Sequence, residues 1–158
     1  MKKIITLVFV ILLIVNLTFI YFYMNPEISG DIINEGREKG FVTKVIDGDT
    51  IVVEGEHVRL LGIDSDEKGD KCYKEAKEKL EKVILNKEVE LERENKDRDQ
   101  YKRLLRYVFV DEENVNLRMV EEGYAIARFY DTKKYKEEII DAEENAREKK
   151  IGCKWKDL

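Results

Sequence analysis

The sequence predicts an α+β fold: a small closed barrel of five short strands with three helices, preceded by an N-terminal transmembrane helix. Three observations predict it. Residues 4–24 hold no charged side chain, while the remainder is densely charged. From Phe41 onward, short runs rich in Val, Ile and Thr are separated by Asp-Gly and Gly-Glu pairs, the punctuation of β-hairpins. Between and after those runs, apolar residues recur at helical spacing. A chain of 158 residues suits one ordinary domain.

The first element is the uncharged segment 4–24, preceded by Lys2 and Lys3. As a helix rising ~1.5 Å per residue it spans roughly 30 Å, the thickness of a bilayer core. A cleavable signal has an apolar core of about 7–15 residues and then a small-x-small site. This core is longer, and bulky Tyr21, Phe22, Tyr23 and Met24 follow it. An uncleaved anchor is the favoured reading; a cleaved signal is the alternative. Lysines before the span and Glu27 and Asp31 after it place the body outside the cytoplasm. Residues 25–40 mix Pro26, glycines and charges without a period and read as a linker. Residues 41–158 form the working domain.

Within that domain, residues 41–47, 50–55 and 57–64 read as a three-stranded meander. A helix follows over about 70–85, with Tyr73, Ala76, Leu80, Val83 and Ile84 on one face and Asn86 as its stop. Residues 88–93 alternate like a strand, and 104–110 form another. The segment 94–103 between them is almost purely charged. A short helix starts near Asn116 and ends at Gly123, and a last helix over about 133–150 aligns Tyr135, Ile139, Ala142 and Ala146. Five strands with one inserted helix fit a closed barrel of the OB type, although alternation alone does not separate it from other small α+β folds.

Without Lys2 and Lys3 the chain carries 27 basic and 34 acidic groups, a net of −7. A domain that holds nucleic acid by bulk charge is normally basic. Function must then reside in local clusters. Asp47-Gly48-Asp49-Thr50 sits at the first hairpin, and Asp64-Ser65-Asp66-Glu67 follows the third strand. Taken singly, these are a hairpin turn and a solvated acidic loop. Taken together, they are two oxygen-donor clusters at neighbouring strand ends, a set that suits Ca²⁺. Arg59 lies within an apolar strand and Arg103 opens the fifth. Guanidinium groups beside a carboxylate-bound cation have a specific use in gripping phosphate.

The series VIDGDT, VRLLGIDSDE, RDQYKRLLRYVFV and VNLRMVEEGYA resembles, in order and spacing, the staphylococcal-nuclease (thermonuclease) family over about residues 41–155. The resemblance implies an OB barrel with three helices and a Ca²⁺-dependent phosphodiesterase. Its substrates would be DNA and RNA, and its products would carry 3′-phosphate and 5′-hydroxyl ends. It implies that Asp49 and Asp64 are the Ca²⁺ carboxylates and that Ser65 offers its backbone carbonyl. Glu67 would orient or deprotonate the attacking water, and Arg59 and Arg103 would hold the phosphate. Asp99 and Tyr101 flank the second arginine, with Tyr101 near the nucleotide. A monomer is expected.

Two residues depart from the family pattern. Asp66 stands where Pro is usual, removing a rigid turn and adding a carboxylate near the metal. Lys102 replaces the Gly before the second arginine. Cys72 and Cys153 read either as a bridge, worth roughly 4 kcal/mol on a chain-entropy basis, or as two separate buried thiols. The alternative function is a non-catalytic OB module binding single-stranded nucleic acid or a protein partner.

Overall fold

The computed structural model describes residues 11–17, 20–21, 36–130 and 133–157. The chain divides into an N-terminal unit ending at Gly36 and a body from Arg37. In the first unit residues 11–17 and 20–21 are helical. The rest of the anchor segment, and the linker through residue 35, lie outside the described residues. No helix among the described residues is long and apolar enough to cross a membrane.

In the body, β1 (Arg37–Val45) is long enough to serve two partners. Its first half lies antiparallel to β5 (Glu88–Glu92), with Arg37 opposite Glu92; its second half pairs with β2 (Thr50–Val53), Val45 opposite Ile51. A register slip between Val42 and Lys44 bends the strand around the barrel. Gly40 permits the crossing, since a Cβ there would lie 2.4 Å from Val53 Cγ1. The strand begins at Arg37 rather than Phe41 because of distant partners. The Arg37 guanidinium sits 3.5 Å from the Phe109 ring centroid and donates to Glu92.

The turn from β2 to β3 (Glu56–Leu60) places Glu54 (φ 50°) and Gly55 (φ 89°) in left-handed backbone, as a two-residue type I′ hairpin requires. β6 (Leu104–Val110) pairs antiparallel with β5 and parallel with β3, Val58 opposite Leu104. That parallel pairing closes a five-stranded barrel in the order β3-β2-β1-β5-β6, an OB arrangement. Two additions were not legible beforehand: β4 (Ile63–Ser65) pairs with β8 (Ala125–Ala127), and β7 (Glu113–Asn114) extends β6.

The three expected helices are α1 (Tyr73–Ile84), α2 (Val115–Glu121) and α3 (Lys136–Glu148); a fourth, α4 (Gly152–Trp155), follows. The stripe Ala76, Leu80, Val83 and Ile84 is buried, as are Ile139, Ala142 and Ala146. Each large apolar side chain so buried contributes roughly 1.5–3 kcal/mol. Asn86 ends α1 in left-handed backbone (φ 60°). α2 starts one residue before Asn116, capped by Asn114, whose side chain accepts from the Leu117 N–H at 3.2 Å. Asn116 is instead fully buried. Its carboxamide accepts from Val108 N–H and donates to the Leu61 and Arg106 carbonyls, pinning the turn that leads into β4.

Candidate active-site cleft

A cleft of about 630 Å³ opens at the mouth formed by the β1–β2 hairpin, β3, β4, the 94–103 loop and the exit of β8. Asp47, Asp49, Arg59, Asp64, Glu67, Tyr101 and Arg103 line it, together with Lys96, Asp99, Gln100, Arg128 and Tyr130. Of the metal, phosphate and water-handling residues that the resemblance implies, Ser65 alone lies behind the wall, buried, with its N–H on Asp49 Oδ2 at 2.7 Å. Hairpin and β4 can approach so closely because residue 48 is glycine. A Cβ there would stand 2.7 Å from Ser65 Cβ and 2.8 Å from Ala76 Cβ.

Arg59 is the centre of the cleft. It faces Thr50 in the β2–β3 register, so its side chain rises beside the hairpin. Its Nε lies 3.2 Å from Asp49 Oδ1 and its Nη2 2.8 Å from Asp64 Oδ1. The two carboxylates, one in the β1–β2 turn and one on β4, thus meet on one guanidinium. The Thr50 hydroxyl donates to Asp49 Oδ1 and accepts from Arg103 Nη1 at 3.3 Å, which brings the second arginine into the same network. Arg103 is aimed by Asp99. One carboxylate oxygen accepts from Arg103 Nε at 2.7 Å; the other accepts from the Tyr101 and Arg103 backbone N–H groups. Desolvation works to raise the Asp99 pKa, but these donors hold it below the usual carboxylate value.

Asp47 behaves oppositely. Burial, and then repulsion from Asp49, push its pKa above the ordinary value. Glu67 stands exposed at the cleft edge, and no described side chain or backbone group hydrogen-bonds or ion-pairs with its carboxylate.

Asp49 and Asp64 fit Ca²⁺ in donor type and charge, as hard carboxylate oxygens brought to one point. Among the described residues no three His, Cys, Asp or Glu side chains converge on a metal position. Backbone carbonyls and water would have to complete six to eight ligands.

The Asp66 expectation is corrected by the structure. Its carboxylate does not join Asp49 and Asp64. Oδ1 takes the Lys154 ammonium and Oδ2 accepts from the Cys72 N–H at 2.8 Å, on the far side of the loop. Lys102 keeps the turn that glycine would make, in left-handed backbone (φ 65°), with its carbonyl accepting from Arg98 at 2.8 Å. It does not line the cleft. Arg128 was missed altogether. Its Nη1 lies 2.9 Å from Asp64 Oδ2 and its Nε donates to the Tyr130 hydroxyl. No local pattern marks it, because the three-residue β8 is too short to show alternation.

Fold and cleft together define an OB-type barrel with a charged site of arginines and carboxylates suited to an anionic substrate. The chain belongs to the staphylococcal nuclease homologue family, whose sequence pattern matches residues 57–157. It is 33% identical over 164 aligned positions to a thermonuclease of Staphylococcus intermedius, covering 96% of this chain and 98% of that protein. A thermonuclease of Staphylococcus hyicus is 32% identical, with 95% and 96% covered. An uncharacterized endonuclease of Haemophilus influenzae is 38% identical over 77% of this chain and 69% of its own length.

Proposed function

We propose that this protein is an exported, membrane-tethered, Ca²⁺-dependent nuclease that hydrolyses DNA and RNA to 3′-phosphate and 5′-hydroxyl ends. The observation that carries the reading is the convergence of Asp49, Asp64, Arg59 and Arg103 in one connected network beside Glu67, whose carboxylate has no partner among the described residues. Tethering follows from residues 4–24.

Asp49 and Asp64, with the Ser65 carbonyl, would hold Ca²⁺, which would supply positive charge to offset that of the phosphate. Arg59 and Arg103 exchange their carboxylate contacts for phosphate oxygens and hold the extra charge of a pentacoordinate phosphorus. Glu67 accepts a hydrogen bond from the attacking water and takes its proton as the new P–O bond forms. The bond from phosphorus to the 5′-oxygen breaks, that oxygen takes a proton from solvent water to leave as the 5′-hydroxyl, and Glu67 returns its proton to solvent. Tyr101, 71% exposed on the rim, offers a ring face to a base. The net of −7 argues against a passive nucleic-acid binder, which would gain its affinity from cations.

The test incubates the full-length chain, in detergent, with single-stranded DNA and RNA oligonucleotides in Ca²⁺ and then with a chelator. Chelator-sensitive cleavage leaving 3′-phosphates is expected. A folded protein that cleaves neither substrate with Ca²⁺, Mn²⁺ or Mg²⁺ overturns the reading in favour of a binding module.

A further inference from the structure

Glu67 has a demanding place and, among the described residues, nothing holding its side chain, so its position depends on the backbone between β4 and α1. Within that loop the Asp70 N–H donates to the Glu67 carbonyl at 3.0 Å and the Tyr73 N–H to the Asp70 carbonyl at 3.4 Å, contacts of the backbone alone. Gly69 is left-handed (φ 108°), residues 67–70 are exposed, and Cys72, which caps α1, makes no side-chain capping bond. What spans the loop is Asp66: its carboxylate reaches across to the Cys72 N–H at 2.8 Å. The other oxygen of that carboxylate is held by Lys154, from the opposite end of the chain.

The C-terminal segment meets this loop at several points. Cys153 is disulfide-bonded to Cys72, with Cα atoms 5.3 Å apart and both residues buried. Lys156 reaches Glu75 at 3.1 Å, and Lys71 pairs with Asp157. The segment is itself docked on the body, since the Lys154 N–H donates to the Gly123 carbonyl at 3.1 Å. The contacts are unequal. Lys71–Asp157 and Lys156–Glu75 are exposed pairs of the kind that contribute little. Lys154 and Asp66 are only 17% and 18% exposed, where charge pairing is screened less by solvent.

We propose that residues 152–157 act as a strap that positions Glu67, with the Lys154–Asp66 pair as its working contact and the Cys72–Cys153 bridge as its anchor. Lys154 and Asp66 are positioning residues: neither lines the cleft. In this chain a carboxylate held from outside the loop does what a proline's fixed φ does from within it. The catalytic consequence rests on the nuclease reading; the consequence for loop order does not.

The test compares full-length wild type with Lys154→Met, Lys154→Arg and Asp66→Asn. Single-stranded DNA kinetics in Ca²⁺ and amide hydrogen exchange at Cys72 are both measured. Lys154→Met is expected to lower kcat about 10-fold or more, as small misplacements of catalytic groups do, with KM within about twofold. Exchange at Cys72 accelerates by about the same factor through local opening. Lys154→Arg restores most of both. Asp66→Asn keeps an acceptor for the Cys72 N–H and gives an intermediate loss, which guards against a Lys154→Met protein that folds poorly. Wild-type kcat and exchange in both Lys154→Met and Asp66→Asn overturn the strap, as does an equal kcat loss in Lys154→Arg. Lost Cys72 protection in the variants of a wild type that cleaves nothing overturns the nuclease reading and leaves the strap standing.

Discussion

Two of the places where arginine and carboxylate meet in this molecule have opposite outcomes. At the β1–β5 edge, Glu92 is 7% exposed and saturated: Arg37 donates at 2.9 Å, the Tyr135 hydroxyl at 3.1 Å, and Lys134 pairs with it. Burial would raise its pKa, but these partners hold it below the usual value. In the cleft the same ingredients are left unbalanced. Asp47 is pushed up, Asp49 and Asp64 share Arg59, Arg128 takes the other oxygen of Asp64, and Glu67 has no described partner. A saturated ion cluster has nothing left to offer a ligand and serves stability. An unbalanced one in an open cleft leaves groups accessible to a ligand. The distinction lies in what surrounds the pair, since both are guanidinium–carboxylate contacts.

The contrast can be broken most sharply at Glu67. Glu67→Gln is expected to cut the DNA cleavage rate by about 10²–10⁴, the usual contribution of a positioned acid–base group. Its Tm should stay within about a degree of wild type, read by thermal denaturation beside the activity assay. Full activity in that variant sinks the water-handling role. Arg103→Ala comes next, with about 10² lost in kcat/KM and a rise in KM. Because Asp99 then loses its guanidinium, this variant should also lose a little stability, unlike Glu67→Gln.

The saturated cluster should respond in the reverse sense. Glu92→Gln is expected to cost on the order of 1–3 kcal/mol of stability at neutral pH, since Arg37 and Lys134 lose their anion. Activity per folded molecule should not change. Because the folded-state pKa of Glu92 is depressed, its contribution is complete above the unfolded value of about 4.3. It fades as pH falls through the folded pKa. The stability gap between wild type and variant should therefore close in strong acid, which urea titrations at several pH values can read. A gap independent of pH would mean that packing rather than charge holds the site.

The smallest effect is expected at Lys102, beside the cleft but not in it. Lys102→Gly relieves left-handed backbone and should stabilise by about 1 kcal/mol, a Tm gain of roughly 3 °C, with kcat/KM little changed. A large change in KM would instead give Lys102 a phosphate contact that its exposed position does not indicate.

Much of this protein was determined by its sequence alone. Alternation and turn residues marked the barrel strands at nearly their observed positions, because a half-buried strand must alternate and a type I′ hairpin needs left-handed residues. The helical stripes named the buried face of α1 correctly for the same reason. The four ordered motifs also named Asp49, Arg59, Asp64, Glu67, Tyr101 and Arg103, all of which line one cleft. What the tertiary structure alone decided concerns direction and long-range partnership. It turned Asp66 away from the other acids toward Lys154, joined Cys72 to Cys153, extended β1 back to Arg37, and brought Arg128 to Asp64. The physical reason is common to these cases. Local sequence records which face a residue presents, whereas its partner is set by barrel closure and chain return across 50 or more positions. There the energy of a contact depends on what else has already been packed beside it.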